Sequence, residues 1–231
     1  MQRSKTIESE IVLCYTVKEV RTMKDFPVFT TEYGVASLSL GQIPYRGTAY
    51  VQVRSCVPGH LAEHVAECAG FCRAAGADEV FWTGEDIPEQ PHSVICEMRG
   101  CLEVNPEFVE SLFPVTEQTA TQWRKIHNDR MENVDHAAYL TEADEKKLLN
   151  AGAYFIHRNG GLIGIGWLDG DTIRAIASVQ PGAGERIVHT LMSLTQGDIR
   201  LEVASTNARA IRLYERLGFI KTGEIRRWCR A

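Results

Sequence analysis

The chain has 231 residues, 44% of them apolar, with 25 basic against 30 acidic side chains and a net charge of −5. One large or two small domains both suit that length, and the apolar fraction is enough for a packed core. The charge lacks the basic excess of a general nucleic-acid binder, and no apolar run approaches the roughly 20 residues that span a bilayer. The opening MQRSKTIESE has no apolar signal core, so neither nucleic acid nor membrane is expected as a partner, and the cytoplasm is the expected compartment.

In chain order, YGVASLSLG and TAYVQVRSC alternate like paired strands around QIPYRG, Leu61 to Ala75 reads as a helix, and ADEVFWTG as a following strand. The segment HLAEHVAECAGFC places His60, His64, Cys68 and Cys72 at four-residue steps, which on a helix lets neighbouring pairs share a ligand. All four cannot close on one tetrahedral ion, and small buried cysteines are ordinary core residues, so no metal is expected. The seven cysteines form an odd set without paired CxxC spacing, which favours reduced thiols over a disulfide framework.

EVNPEFVESLFPVTEQ carries two prolines and a run of acidic residues, and a domain boundary is placed near residue 105, separating residues 1–105 from residues 106–231. TEQTATQWRKIHNDRM then begins a helix, with Thr116 as a plausible cap. AYFIHRNGGLIGIGWLDGDTIRAIASV reads as three antiparallel strands turned at Asn159-Gly160 and around Asp169-Gly170-Asp171. The junction SVQPGAGERIVHTLMSL leads from a strand through glycines into a helix, where free N–H groups and the helix dipole favour a phosphate, although a tight turn alone also needs glycine. LEVASTNARAIRLYERLGF then reads as strand, cap and amphipathic helix, with Arg209, Arg212 and Arg216 on its polar side and Gly218 as the C-terminal stop.

The two junctions, in this order and about twenty residues apart, resemble those of the GNAT superfamily of acyl-CoA-dependent N-acyltransferases. The match is Val179-Gln180-Pro181 with Gly182 and Gly184, then Asn207, Ala210, Leu213, Tyr214, Glu215, Gly218 and Phe219. The resemblance covers roughly residues 108 to 225. It implies an α/β (α+β) fold with a mixed, mostly antiparallel sheet flanked by helices, and residues 1–105 resemble a degenerate, non-catalytic half of the same fold. The loop here is shorter than the family's. Either Gly182-Ala183-Gly184 is the phosphate loop, the favoured reading, or the register is Gly184-Glu185-Arg186, with the Arg186 side chain covering the phosphates or pointing away. The chain ends at IRRWCRA, so the family's last strand would be very short or supplied by another region of the molecule.

The implied activity is transfer of an acetyl group from acetyl-CoA, as co-substrate, to an amine of a small molecule or peptide by direct attack. Ser178 and Val179 would bind the pantetheine arm or polarise the carbonyl. The amides of Gly182, Ala183, Gly184, Glu185, Arg186 and Ile187 would take the pyrophosphate. Asn207, with Ala210 beside it, would serve the cofactor arm or only cap its helix. Tyr214 is the candidate general acid, or else a core aromatic. Asp169, Asp171, His157, His189 and Glu202 remain open as the general base. A CoA-binding or sensing protein without turnover and a partner-binding protein that keeps only the fold are the alternatives. Incomplete sheets make a homodimer reasonable.

Overall fold

The computed structural model describes residues 27–231 apart from Asp86, Glu89 and Leu102, so the segment MQRSKTIESE lies outside the described residues. The chain divides into two compact units, Met1–His92 with Arg227–Ala231, and Ser93–Arg226.

In the first unit, β1 (Val28–Thr31), β2 (Gly34–Ser39) and β3 (Thr48–Cys56) form an antiparallel meander interrupted by the single turn α1 (Ile43–Arg46). After α2 (Leu61–Ala74), β4 (Glu79–Thr83) returns parallel to β3, and Cys229 and Arg230 pair antiparallel with Trp82 and Phe81. The apolar face of α2 places Val65, Cys68, Ala69 and Cys72 in a core with Leu38, Val51 and Trp82. Burial pushes the Cys68 and Cys72 thiols up to about 11, so they pack as small apolar groups rather than as thiolates. His64 is fully buried with Nδ1 2.7 Å from Thr31 Oγ1, whereas His60 is exposed and stacks on Tyr33. Among the described residues no three His, Cys, Asp or Glu side chains converge as a metal site would need.

The second unit contains β5 (Ser93–Gly100), β6 (Ser111–Pro114), α3 (Ala120–Met131), α4 (Glu145–Asn150), β7 (Ala153–Arg158), β8 (Gly161–Asp169), β9 (Thr172–Ser178), α5 (Gly184–Met192), β10 (Ile199–Ala204), α6 (Ala208–Arg216) and most of β11 (Ile220–Arg230). Its strands lie in the order β11-β5-β10-β9-β8-β7-β6, and β9–β10 is a parallel pair among antiparallel ladders. The turn at Asn159-Gly160 has φ of 52° and 78°, the left-handed pair that a two-residue hairpin of matching twist requires. The sequence suggested a boundary near residue 105, but the units divide between His92 and Ser93. The reason is β5, which pairs with β10 from Ile95 opposite Ala204 to Gly100 opposite Ile199 and stands between β10 and β11. The strand that IRRWCRA left unaccounted for is therefore supplied from earlier in the chain, and β11 itself runs for 11 residues.

Close docking of α5 on β8 follows from two glycines. A Cβ on Gly164 would collide with Ile187 Cδ1 and lie 2.6 Å from the Ala177 carbonyl oxygen, and one on Gly166 would lie 2.7 Å from Leu191 Cδ1. Without side chains there, Ile187 and Leu191 reach the strand backbone and are fully buried. No helix among the described residues is long and apolar enough to cross a membrane.

Two outcomes are expected. Gly166→Ala lowers the free energy of unfolding by about 1–3 kcal/mol through overpacking, whereas Gly223→Ala, with nothing within 4 Å of its added methyl, changes the urea midpoint little. A chain of residues 106–231, lacking β5, fails to unfold cooperatively, and residues 93–231 recover a cooperative transition by circular dichroism.

Candidate functional site: a fork between parallel strands

β9 and β10 pair only at Thr172 with Arg200 and Ile173 with Leu201. The cause of the parting lies on the other side of β9: Leu168 of β8 faces Ile173 while Trp167 faces Ala175, so Arg174 is an extra, unopposed residue. Such a bulge bends and twists its strand, and β9 leaves β10 directly after Ile173. Beyond that point the edge of β9 facing β10 has no strand partner among the described residues.

β9 then runs into the loop Val179–Ala183 and the start of α5. Gly182 is exposed with φ +80°, a conformation open to glycine, and nothing lies within 4 Å of where its Cβ would be. α5 has Ala183 at its N-cap and no side-chain cap. Among the described residues the N–H groups of Gly182, Gly184, Glu185 and Arg186 find no acceptor; Ala183 N–H reaches the Gln180 carbonyl at 3.3 Å and Ile187 N–H the Ala183 carbonyl at 3.0 Å. Unpaired donors at the positive end of a helix form an anion cradle.

Several residues singled out in the sequence are already committed. The N–H of Val179 donates to the Ile163 carbonyl at 2.8 Å and that of Ala210 to Asn207 Oδ1 at 3.1 Å, so with Ile187 these three amides are spent inside the fold. Ile187 belongs to the core instead. Asn207 caps α6 through that bond. Arg186 turns its guanidinium away from the loop: Nη1 donates to Glu110 Oε1 at 2.6 Å and to the Glu107 carbonyl at 2.9 Å, and the group lies over the Phe108 ring. Of the two orientations open to Arg186 in the second loop register, the structure has the one that points away. Ser178, half-buried at the end of β9, has its Oγ 3.6 Å from the position a Gly184 Cβ would take.

α6 joins the site through Leu213, whose Cδ2 would lie 2.8 Å from a Cβ on Gly184. The absence of that Cβ lets the helix seat against the loop. Tyr214 is half-buried against the core formed with α5, its ring 5.6 Å from that of Phe219, and burial pushes its phenol up to about 12. Its hydroxyl has no hydrogen-bond partner among the described residues.

The acid and imidazole candidates separate by position. Asp169 is 2.8 Å from Arg174 Nη2 and Asp171 is 3.1 Å from Arg200 Nε. His189 is buried and accepts from Asn105 N–H at 3.4 Å, and His157 packs on Phe113. Glu202 is different. It is the first residue of β10 past the last β9 pair, half-buried, and strand alternation puts it on the face opposite its core neighbours Leu201 and Val203. It stands opposite Glu97 of β5, whose carboxyl is held below the usual range by hydrogen bonds from Arg99 and Thr222.

Two contacts were invisible in the sequence because they join distant segments. Arg130 of α3 brings Nη2 within 3.3 Å of the Val179 carbonyl oxygen at the loop. Ser93, at the start of β5, lies 2.5 Å from Nε2 of His136, a residue with φ +60°.

No protein-family model matches the sequence, and no curated protein matches it. Among solved structures, the chain is similar to a conserved protein of unknown function from Staphylococcus epidermidis, at 10% identity and a TM-score of 0.55 over 87% of this chain and 92% of that one. It is similar to a GCN5-related N-acetyltransferase from Anabaena variabilis at 12% identity, TM-score 0.53, over 84% of this chain and 59% of that one. A third similarity is to a putative acetyltransferase from Pyrococcus horikoshii at 12% identity, TM-score 0.51, over 86% and 69%. The fold is that of the GNAT superfamily.

The Tyr214 shift has a measurable sign. The unfolded chain loses this proton near pH 10 and the folded one near 12, so the folded state binds more protons between those values and loses stability as pH rises through them. Wild type should lose stability relative to Tyr214→Phe from pH 10 upward, while the difference stays constant between pH 7 and 9 in paired urea titrations.

Proposed function

We propose that the protein is an acyl-CoA-dependent N-acyltransferase, with Ser93–Arg226 as the acyl-CoA-binding unit, acetyl-CoA as co-substrate and an amine of a small molecule or peptide as acceptor, acting in the cytoplasm. The observation that carries the reading is the alignment of an open parallel fork with four unpartnered N–H groups at its end, those of Gly182, Gly184, Glu185 and Arg186.

The chemistry of a CoA thioester fits each element of the site. The diphosphate suits the amide cradle and the dipole of α5. The pantetheine arm carries two amides in an extended chain and suits the unpaired edge of β9, as a peptide adds to an open strand. Ser178 and Arg130 flank the place where the arm would meet the loop.

In the transfer, the acceptor nitrogen bonds to the thioester carbon, the C–S bond breaks, the amine loses a proton and the sulfur gains one. Tyr214 serves the sulfur. With its phenol at about 12 it is fully protonated at neutral pH and donates a hydrogen bond to the developing thiolate before any complete proton transfer. Glu202 is the carboxylate best placed for the amine proton, at the apex of the fork and on its other face.

The first unit is read as non-catalytic. Its parallel strands β3 and β4 stay paired over five rungs, Thr48 to Gln52, and the turn before α2 holds one glycine, Gly59. Its last residues, Arg227–Ala231, follow the second unit along the chain.

Calorimetric titration with acetyl-CoA and with acetyl-pantetheine tests the reading. Saturable micromolar binding of acetyl-CoA, lost for acetyl-pantetheine and weakened at least tenfold by Gly184→Val, is the expected result; no binding of acetyl-CoA at millimolar concentration overturns it. Once an acceptor amine is in hand, Tyr214→Phe and Glu202→Gln each lower kcat by about 100-fold or more with acetyl-CoA affinity unchanged. An unchanged kcat in both variants, with binding intact, would favour a CoA-binding protein without turnover.

A further inference from the structure

α6 carries a second feature that the transfer chemistry leaves unused. Arg209, Arg212 and Arg216 are all exposed, and among the described residues none of the three has an ion-pair or hydrogen-bond partner. Elsewhere in the second unit, Arg99, Arg124, Arg158, Arg174, Arg186 and Arg200 each hold a carboxylate. An unpaired set of three on one helix is therefore out of character in a chain with more acidic than basic residues.

The orientation of the set follows from Leu213. Leu213 is the residue of α6 that meets Gly184 at the anion cradle. At about 100° per residue, Arg209 lies about 40° and Arg216 about 60° from Leu213 around the helix, both in the same sense, with Arg212 about 100° away beyond them. Tyr214 lies about 100° away in the opposite sense. One flank of α6 thus presents three guanidinium groups beside the cradle, while the other presents the phenol to the core.

We infer that this flank is a subsite for a phosphate monoester, the 3′-phosphate of the CoA nucleotide. The inference rests on the reading that the cradle takes the diphosphate of that same molecule. With the diphosphate at the start of α5, the attached ribose lies outside the loop, and its 3′-phosphate is the one remaining strong anion of the ligand. A dianionic monoester accepts paired N–H donors from a guanidinium, and three such groups without competing carboxylates suit it better than they suit the singly charged diphosphate oxygens already met by amides. The consequence is selectivity for CoA thioesters over their 3′-dephospho forms.

The experiment is calorimetry of the full chain with acetyl-CoA and with 3′-dephospho-acetyl-CoA, at low and at physiological salt. The expected result is that wild type binds the dephospho form about tenfold more weakly, a difference of about 1.4 kcal/mol, and that the gap narrows with salt. In the triple variant Arg209→Ala, Arg212→Ala, Arg216→Ala, acetyl-CoA should weaken to the affinity of the dephospho form, whose own affinity is unchanged. Equal binding of both nucleotides by wild type overturns the subsite. So does a triple variant that keeps the tenfold preference, or one that weakens both nucleotides equally, which would make the flank a source of general attraction. The single variant Arg209→Gln, expected to lose some of the preference, gives the same discrimination should the triple variant unfold. Failure of wild type to bind either nucleotide at millimolar concentration is the separate outcome in which the diphosphate reading itself falls.

Discussion

The site depends on how closely α5 approaches β8. Gly164 and Gly166 leave the strand bare where Ile187 and Leu191 press against it, and any side chain there would lift the helix by the thickness of a methyl group or more. A helix held at that distance has its N-terminus fixed at the end of β9, which aims its unpaired amides at one place. A lifted helix would keep the same donors and lose their convergence. The same economy recurs at Gly184, where the missing Cβ admits Leu213 and brings α6 to the loop. Three glycines thus set the distances between strand, phosphate cradle and phenol-bearing helix.

The second constraint is a single surplus residue. Arg174 has no partner on β8, and the extra length it adds to β9 turns a continuous parallel pair into a fork after two rungs. Arg174 is itself held by Asp169, across the turn that joins β8 to β9, which anchors the bulge on its solvent side. In the first unit β2 and β3 also slip by one residue, leaving Arg54 unopposed, and the five β3–β4 rungs, Thr48 to Gln52, all precede it. In the second unit, opening coincides with a loop and helix whose donors have no partners among the described residues, the combination on which the proposed ligand cleft rests.

Much of this architecture was legible because it is local. Alternation marked β7, β8 and β9, Asn159-Gly160 marked their first turn, and the segment from Leu201 to Phe219 displayed strand, cap and helix in its order of residue types. Asn207 shows the limit of that reading: both the cap and the cofactor contact were compatible with its position, and the 3.1 Å bond to Ala210 N–H decides that its Oδ1 caps. What the sequence could not show is non-local. The insertion of Ser93–Gly100 between β10 and β11 depends on pairing across about a hundred residues, and no pattern within VICEMRG distinguishes a strand of one unit from a strand of the other. Arg186 looked like a member of a glycine loop because chain position was the available guide. Its partner Glu110 lies 76 positions earlier in sequence, and that contact turns the side chain away from the phosphates while leaving its N–H in the cradle.

The phenol adds a constraint on chemistry that the motif alone does not convey. Burial raises the Tyr214 phenol to about 12 and would raise a thiol beside it in the same direction, so the phenol stays protonated at neutral pH. In the proposed transfer Tyr214 would act as a hydrogen-bond donor to the sulfur. Its ring is set by packing against Phe219 and the α5 core, while the hydroxyl of this half-buried residue has no hydrogen-bond partner among the described residues. In the same proposal the free amides of α5 would act on the diphosphate. In that proposal neither the amides nor the phenol would have to ionise, so the close packing at Gly164, Gly166 and Gly184 would bear on the energy of the transferring state.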